Sequence, residues 1–334
     1  MIDLIKKIDF SKYTALIAFV ILFVALSFLS ESFLTTGNLV IVFRQIAING
    51  LIAGGMTFVI LSGGIDLSVG SILGFTSMST VILISHGLTI DFNLFGLDFL
   101  HIYVNTEPFP VVAALIVGIF LGGFVGAMNG FFIARMKLQP FIVTLASMTI
   151  LRGLTLVISG NRPVSVTAGN DLFLNIGQGF LFGIPIPIYI FIFAFIIFWI
   201  LLEKTQFGKK VYSIGGNEEV ARLSGIKTIR TKIMIYAIIG ICCAIAGIIL
   251  SARLASSQPV IGVGFELDAI AAVVIGGTSL AGGRGRIFGT FIGVLIIGFL
   301  GNGMNLLGIQ SDYQEIVKGG VILLAVLIDR FKKE

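Results

Sequence analysis

The sequence predicts an all-α polytopic membrane protein of about ten transmembrane helices, one or two of them broken or re-entrant. Three observations carry this reading. Of 334 residues, 57% are hydrophobic and only 12% charged, with a mean hydropathy of +1.08. A water-soluble domain must wet its surface and has no use for so much apolar side chain. The apolar residues fall in runs close to the 20 or so that a helix needs to cross a hydrocarbon core of roughly 30 Å. The basic residues collect at alternate ends of those runs.

In order, spans are expected over residues 13–30, 38–62, 67–85, 109–134, 141–159, 187–202, 233–253, 265–281, 287–306 and 313–328. With the amino terminus inside, every second connection carries the positive charge that cytoplasmic loops favour. Lys6, Lys7 and Lys12 precede the first span, Arg135 and Lys137 follow the fourth, and the long 203–232 connection is rich in lysine and arginine. Arg284 and Arg286 precede the ninth span, and Arg330, Lys332 and Lys333 follow the tenth. Only Arg162 falls clearly in an outer loop. The chain is thus read as one transmembrane domain over 1–334, with a cytoplasmic N-terminus (1–12), a cytoplasmic loop (203–232) and a cytoplasmic C-terminus (329–334). The first span is too long for a secretory h-region and lacks a small-residue cleavage site after it, so it is expected to stay in place.

Enzymatic chemistry has little to work with. Cys242 and Cys243 are adjacent in an apolar run and point apart on a helix, so no disulfide framework is implied. His86 and His101 share one outer loop without cysteine partners, a poor basis for a metal site. Gly208-Lys209 lacks the upstream glycine of a phosphate loop. If nucleotide drives any process here, a partner must bring the ATPase.

Gly63, Gly64, Asp66, Ser68 and Gly70 interrupt the second hydrophobic stretch without any Lys or Arg, so this break is expected at membrane depth, against protein or a wet cavity. Asp66 is read first as a cap for the next helix and second as lining a pathway. Two spans and a re-entrant hairpin both fit residues 38–85. Gly276 to Gly283 is a weaker echo of the same motif. Gly118, Gly122, Gly126 and Gly130 share one helix face, Gly285, Gly289 and Gly293 recur at the same spacing later, and both sets are expected to let helices approach closely.

Arg44, Arg152, Arg253 and Lys318, with Glu266, Asp268, Asp312 and Glu315, fall in the outer parts of spans, where charge is costly unless paired or wetted. Arg44, Arg152, Arg253, Glu266 and Asp268 are taken as the rim of an outer mouth.

In the 203–232 loop, Asn217 is placed to cap a short helix, Glu218 and Glu219 suit its positive end, Glu218 and Arg222 are i,i+4 partners, and Gly225 is placed to stop it. Val220, Leu223 and Ile226 form an apolar stripe. So short a helix is marginal alone and needs something to pack against.

Three long strings carry a resemblance to a known family. These are MTFVILSGGIDLSVGSILG from Met56, IGGNEEVARLSGI from Ile214, and GVGFELDAIAAVVIGGTSLAGGRGRIFGTFIGVLIIGFLGNGMNLLGIQSDYQEIVKGGVILLAVLID from Gly262. They resemble the permease subunits of bacterial ABC sugar importers in the ribose, xylose, arabinose and galactoside group, ribose permeases most closely. The likeness implies a multi-pass subunit of the bacterial inner membrane, working as a homodimer with a cytoplasmic ABC ATPase and a periplasmic or surface-tethered sugar-binding protein. ATP and Mg would be bound by that ATPase, leaving this chain without catalysis or cofactor, and nucleic acid is not a partner. It also implies a coupling helix built from Gly216, Asn217, Glu218, Glu219, Ala221, Arg222, Leu223, Gly225 and Ile226. The outer mouth would receive the binding protein. Asn129, Phe141, Thr144, Asn302 and Asn305 are the candidates for a sugar path, since a neutral sugar asks for donors, acceptors and an aromatic face. An ion-coupled secondary transporter is the rival, with permeases for other pentoses, galactose or autoinducer-2 as alternative substrate readings; only Asp66 could serve an ion-coupled relay.

Overall fold

The computed structural model describes residues 14–87, 89–93 and 101–331. The N-terminal segment 1–12, with Lys6, Lys7 and Lys12, lies outside the described residues, as do Lys332 and Lys333 in the expected C-terminal tail. The helices are α1 (Thr14–Leu29), α2 (Thr36–Leu61), α3 (Val69–Ser85), α4 (Val111–Arg135), α5 (Pro140–Ser159), α6 (Asp171–Gln178) and α7 (Ile186–Trp199), which runs into a π-helical turn, Ile200–Lys204. They continue with α8 (Gln206–Gly216), α9 (Glu218–Leu223), α10 (Thr228–Leu254), α11 (Phe265–Ile275), α12 (Ile287–Leu306) and α13 (Ser311–Phe331).

Among the described residues, six helical stretches are long and apolar enough to cross a membrane: α2, α4, α5, α7 with its π-helical turn, α10 and α12. α1 and α3 are shorter apolar helices. The eighth expected span is corrected: α11 has 11 residues, about 16 Å of helix, roughly half a hydrocarbon core. Its start is set by Gly262 and Gly264, both with positive φ, and its end by the turn at Gly276 and Gly277. The C-terminal helix α13 continues to Phe331, past the expected boundary at 328.

α2 is the centre of the bundle. Every residue from Ile46 to Leu61 is buried, the pattern of a helix covered on all sides rather than on one stripe. α10 is its main partner and also carries α3 and α4. The α4 glycines make that packing possible. A Cβ on Gly122 would meet Gly240 O, and one on Gly126 would meet Tyr236 O, so the backbones of α4 and α10 touch where other residues would hold them apart. Gly289 and Gly293 do the same for α12 against Gly276 O and Ala272 O of α11.

The loops are not purely irregular, as an all-α reading would have them. β1 (Thr89–Asn93) and β2 (His101–Asn105) form an antiparallel pair, Thr89 opposite Asn105. β3 (Val164–Ser165) pairs with β6 (Ser256–Ser257), and β4 (Phe180–Leu181) with β5 (Ile184–Pro185).

Candidate functional site

Two segments that interrupt helices meet inside the bundle. After α2 ends at Leu61, the chain turns through Gly63, whose φ is +79°, and climbs back before α3 begins. Asp66 is fully buried in this turn; its Oδ1 accepts from Ser68 N at 2.8 Å and from Ser68 Oγ at 2.5 Å. This is an Asx turn leading into the helix, so Asp66 orders the start of α3 from two residues ahead of the Ser68 cap. Ser68 in turn accepts from Asn129 Nδ2 at 3.0 Å. Asn129 sits six residues before the end of α4, about 9 Å up the helix, so the break lies within the bundle rather than beyond it. Gly64 faces Tyr236 of α10: a Cβ there would lie 2.6 Å from the phenol oxygen. Asp66 Oδ2 and Tyr236 Oη have no hydrogen-bond partner among the described residues.

The second segment, 256–264, comes down beside α3. Ser257 Oγ bonds Ser77 Oγ at 2.9 Å, a Cβ on Gly74 would lie 2.9 Å from Ile261 O, and one on Gly262 would lie 2.5 Å from Gly70 O. Each contact is roughly one helical turn further down, and α11 starts where the descent ends. Arg152 holds the turns of this segment by donating from Nη1 to Ile261 O at 2.7 Å, while Glu266 Oε1 accepts from Gly264 N at 3.3 Å. A Cβ on Gly70 would sit 2.6 Å from Glu266 Oε2, so Arg152, Glu266, Gly70 and Gly262 form one cluster at the junction of both breaks.

At the basic end, α8 packs beneath the first break and leads into α9. Gly283 N donates to Leu61 O at 2.9 Å, and Tyr212 Oη donates to Gly285 O at 2.8 Å. Gly215 lies against Leu61 O and Gly283 N with no room for a side chain. The echo motif at 276–283 thus touches the motif it echoes directly, with Gly282 against Gly63 N, and α8 packs on both. Burial raises the Tyr212 hydroxyl above its ordinary pKa, helped by nearby Glu203 and opposed by Arg286.

α9 is short and fully terminated. Asn217 Oδ1 accepts from Val220 N at 3.0 Å. Gly225 has φ +82° and donates to Arg222 O, while Ile226 N donates to Ala221 O at 3.1 Å, the pair of bonds that closes a Schellman end. The expected Glu218–Arg222 pair is corrected: Arg222 reaches Glu219 at 2.5 Å and Glu218 reaches Lys232 of α10 at 2.5 Å. Glu218 turns toward α10 because Lys232 stands beside the first turn of α9. Ala221 is buried against the bundle, whereas Val220 and Leu223 face outward, Leu223 with 77% of its surface free. Gly216, between the two helices, has open space where a side chain would go.

The charged positions expected at one mouth separate into two groups. Arg44 Nη2 donates to Gln178 O at 2.5 Å and lies 4.8 Å over the Phe180 ring, pinning α6 and β4 to α2. Gln178 also caps the end of α10, donating to Ala252 O and Arg253 O at 3.2 Å. Asp268 is apart from these, buried and paired with Lys318 of α13 at 3.0 Å, with Asn49 of α2 donating at 3.4 Å. Asn49 and Tyr236 were not singled out in the sequence; a lone polar residue in a buried apolar run was the available signal.

The candidate path residues do not converge. Asn129 is spent on Ser68; Thr144 is buried and donates to Pro140 O at 2.8 Å; Phe141 is exposed on α5. Asn302 exchanges hydrogen bonds with Asn38 at 2.7 and 3.1 Å, and Asn305 accepts from Gln314 at 2.8 Å, both on the α12 side.

Comparison with known proteins agrees with this architecture. The family model described as branched-chain amino acid transport system / permease component matches residues 38–326. The ribose import permease protein of Bacillus subtilis is 50% identical over 93% of this chain and 90% of its own length. That of Escherichia coli K12 is 45% identical over 96% and 94%, and the L-arabinose transport system permease protein of the same strain 39% over 97% and 92%. No solved structure gives a significant match. These relatives are transport permeases rather than enzymes, and the present chain, a multi-pass membrane protein, belongs to the branched-chain amino acid transport system permease component family.

Proposed function

We propose that this chain is the membrane-spanning permease of an ATP-binding-cassette importer that carries a monosaccharide, ribose, into the cell. The 50% identity to a ribose import permease supports the sugar. The observation that carries the mechanism is the seating of α8, which leads directly into α9, against the Leu61 turn and the Gly283–Gly285 loop. A push on α9 from a cytoplasmic ATPase would pass through α8 to the Leu61 turn and the Gly283–Gly285 loop, biasing the path between outward and inward openings.

In this reading Gly216, Asn217, Glu218, Glu219, Ala221, Arg222, Leu223, Gly225 and Ile226 form the coupling surface, with Val220 and Leu223 entering a groove on the ATPase. ATP and Mg bind in that partner, and this chain carries no cofactor. Two copies form the transporter, each crossing about ten times once α1, α3, α13 and α11 with its descending loop join the six long stretches. Both termini face the cytoplasm. Arg44 and Arg253 at the far end receive a periplasmic sugar-binding protein, with Arg152, Glu266 and Asp268 deeper behind them. Gly63, Gly64, Asp66, Ser68 and Gly70 form the hinge of the path, and Asn129 braces it through Ser68.

The test is reconstitution of the permease in vesicles with its ATPase and binding protein. ATP-dependent ribose uptake that survives a protonophore is expected. Uptake driven by an ion gradient without the ATPase, or preference for a different sugar, would overturn the reading.

A further inference from the structure

A groove between α4 and α5 leads to a different ligand. It has a volume of about 340 Å³ and runs from Leu138, just past the end of α4, along α5 from Ile142 to Leu151, about 14 Å of helix. Val125, Met128 and Phe132 form one wall, and Ile142, Val143 and Ile150 the other. Asn129 and Ser147 are its polar members, and the Asn129 amide already donates to Ser68. A polyol would lose its hydrogen bonds to water here and regain few, so the groove does not suit sugar. Its open side is apolar too: Met128, Ile142 and Ile150 are exposed on helices that turn most of their surface away from the bundle.

The mouth of the groove carries charge. The five-residue turn Arg135-Met136-Lys137-Leu138-Gln139 contains two cations and no acid, and Arg135 and Lys137 are both exposed. Neither forms an ion pair among the described residues. An apolar slot of acyl-chain shape that ends at two unneutralised cations is complementary to one amphiphile, chain inward and anion at the rim. We propose that this groove binds an anionic glycerophospholipid, with an acyl chain between α4 and α5 and the headgroup phosphate on Arg135 and Lys137. The groove wall includes Asn129, which holds Ser68 at the first break, so an occupied groove would also brace the turn around Asp66.

The test uses the full chain purified in detergent and exchanged into nanodiscs of phosphatidylglycerol with phosphatidylcholine, or of phosphatidylcholine alone. Native mass spectrometry should show phosphatidylglycerol retained in preference to phosphatidylcholine. Arg135→Gln with Lys137→Gln should weaken retention by about fivefold per cation removed. Ile142→Trp, which fills the slot without touching charge, should also reduce it. Lys209→Gln with Lys210→Gln removes equal charge elsewhere on the basic end and should leave retention intact. Equal retention of both lipids, equal loss in the Lys209/Lys210 pair, or an Ile142→Cys cross-link joining two copies through the groove would overturn the proposal.

Discussion

Lys318 of α13 and Asp268 of α11 meet at 3.0 Å inside the bundle, and Asp268 also takes a hydrogen bond from Asn49 of the central helix. The pair ties the half-length helix to two full-length ones. In a low-dielectric surrounding, a charge deprived of its partner is left uncompensated. Lys318→Met should therefore lower stability by about 3 kcal/mol, while Lys318→Met with Asp268→Asn should recover most of it. Thermal aggregation midpoints in detergent check this; equal damage from the single and double variants would show that the pair does not act as a unit.

Gly225 closes α9 at φ +82°. A valine there must hold a left-handed backbone, at a cost of about 1–2 kcal/mol, or unwind the last turn. The cap at Asn217 lies at the opposite end of the helix, and Gly225 itself has open space around it, so the bundle should remain folded. Under the proposed coupling, Gly225→Val keeps the ATPase bound but loses sugar-stimulated hydrolysis, measured in reconstituted vesicles.

Gly126 and Gly153 separate packing from mere flexibility. A Cβ on Gly126 would run into Tyr236 O, whereas one on Gly153 would meet nothing within 4 Å. Gly126→Leu should abolish folded yield, since α4 and α10 cannot approach. Gly153→Ala should be neutral within about 0.5 kcal/mol. Monodisperse yield on size exclusion distinguishes the two.

Tyr212 supplies a pH-dependent contact at the basic end. Its hydroxyl donates to Gly285 O and is held above its ordinary value of 10.0 mainly by burial. Because the folded state keeps the proton more tightly, this contribution is complete below pH 10 and is lost as pH rises above it. Tyr212→Phe should cost about 1 kcal/mol at neutral pH, for the lost hydrogen bond, and show a smaller alkaline loss than the parent. Parallel alkaline melts of both proteins provide the measurement.

Much of this molecule was legible in one dimension. Hydropathy and the placement of lysine and arginine announced the membrane bundle, because lipid admits only backbones that satisfy themselves and cytoplasmic loops gather positive charge. The Asn217 and Gly225 ends of α9, and the glycine face at 118, 122, 126 and 130, were equally local, each set by a backbone or spacing requirement that the residue types display. Tertiary structure decided the rest. Glu218 could reach Arg222 or Lys232, and only the placement of α10 selected Lys232. Residues 265–281 read as a span until the Gly276–Gly277 turn, packed against Gly289, ended α11 at Ile275. Asp268 read as a rim charge until α13 brought Lys318 to it. In each case the outcome depended on which helix stood opposite, and the hydrophobic period along a chain says that a face is buried without saying against what.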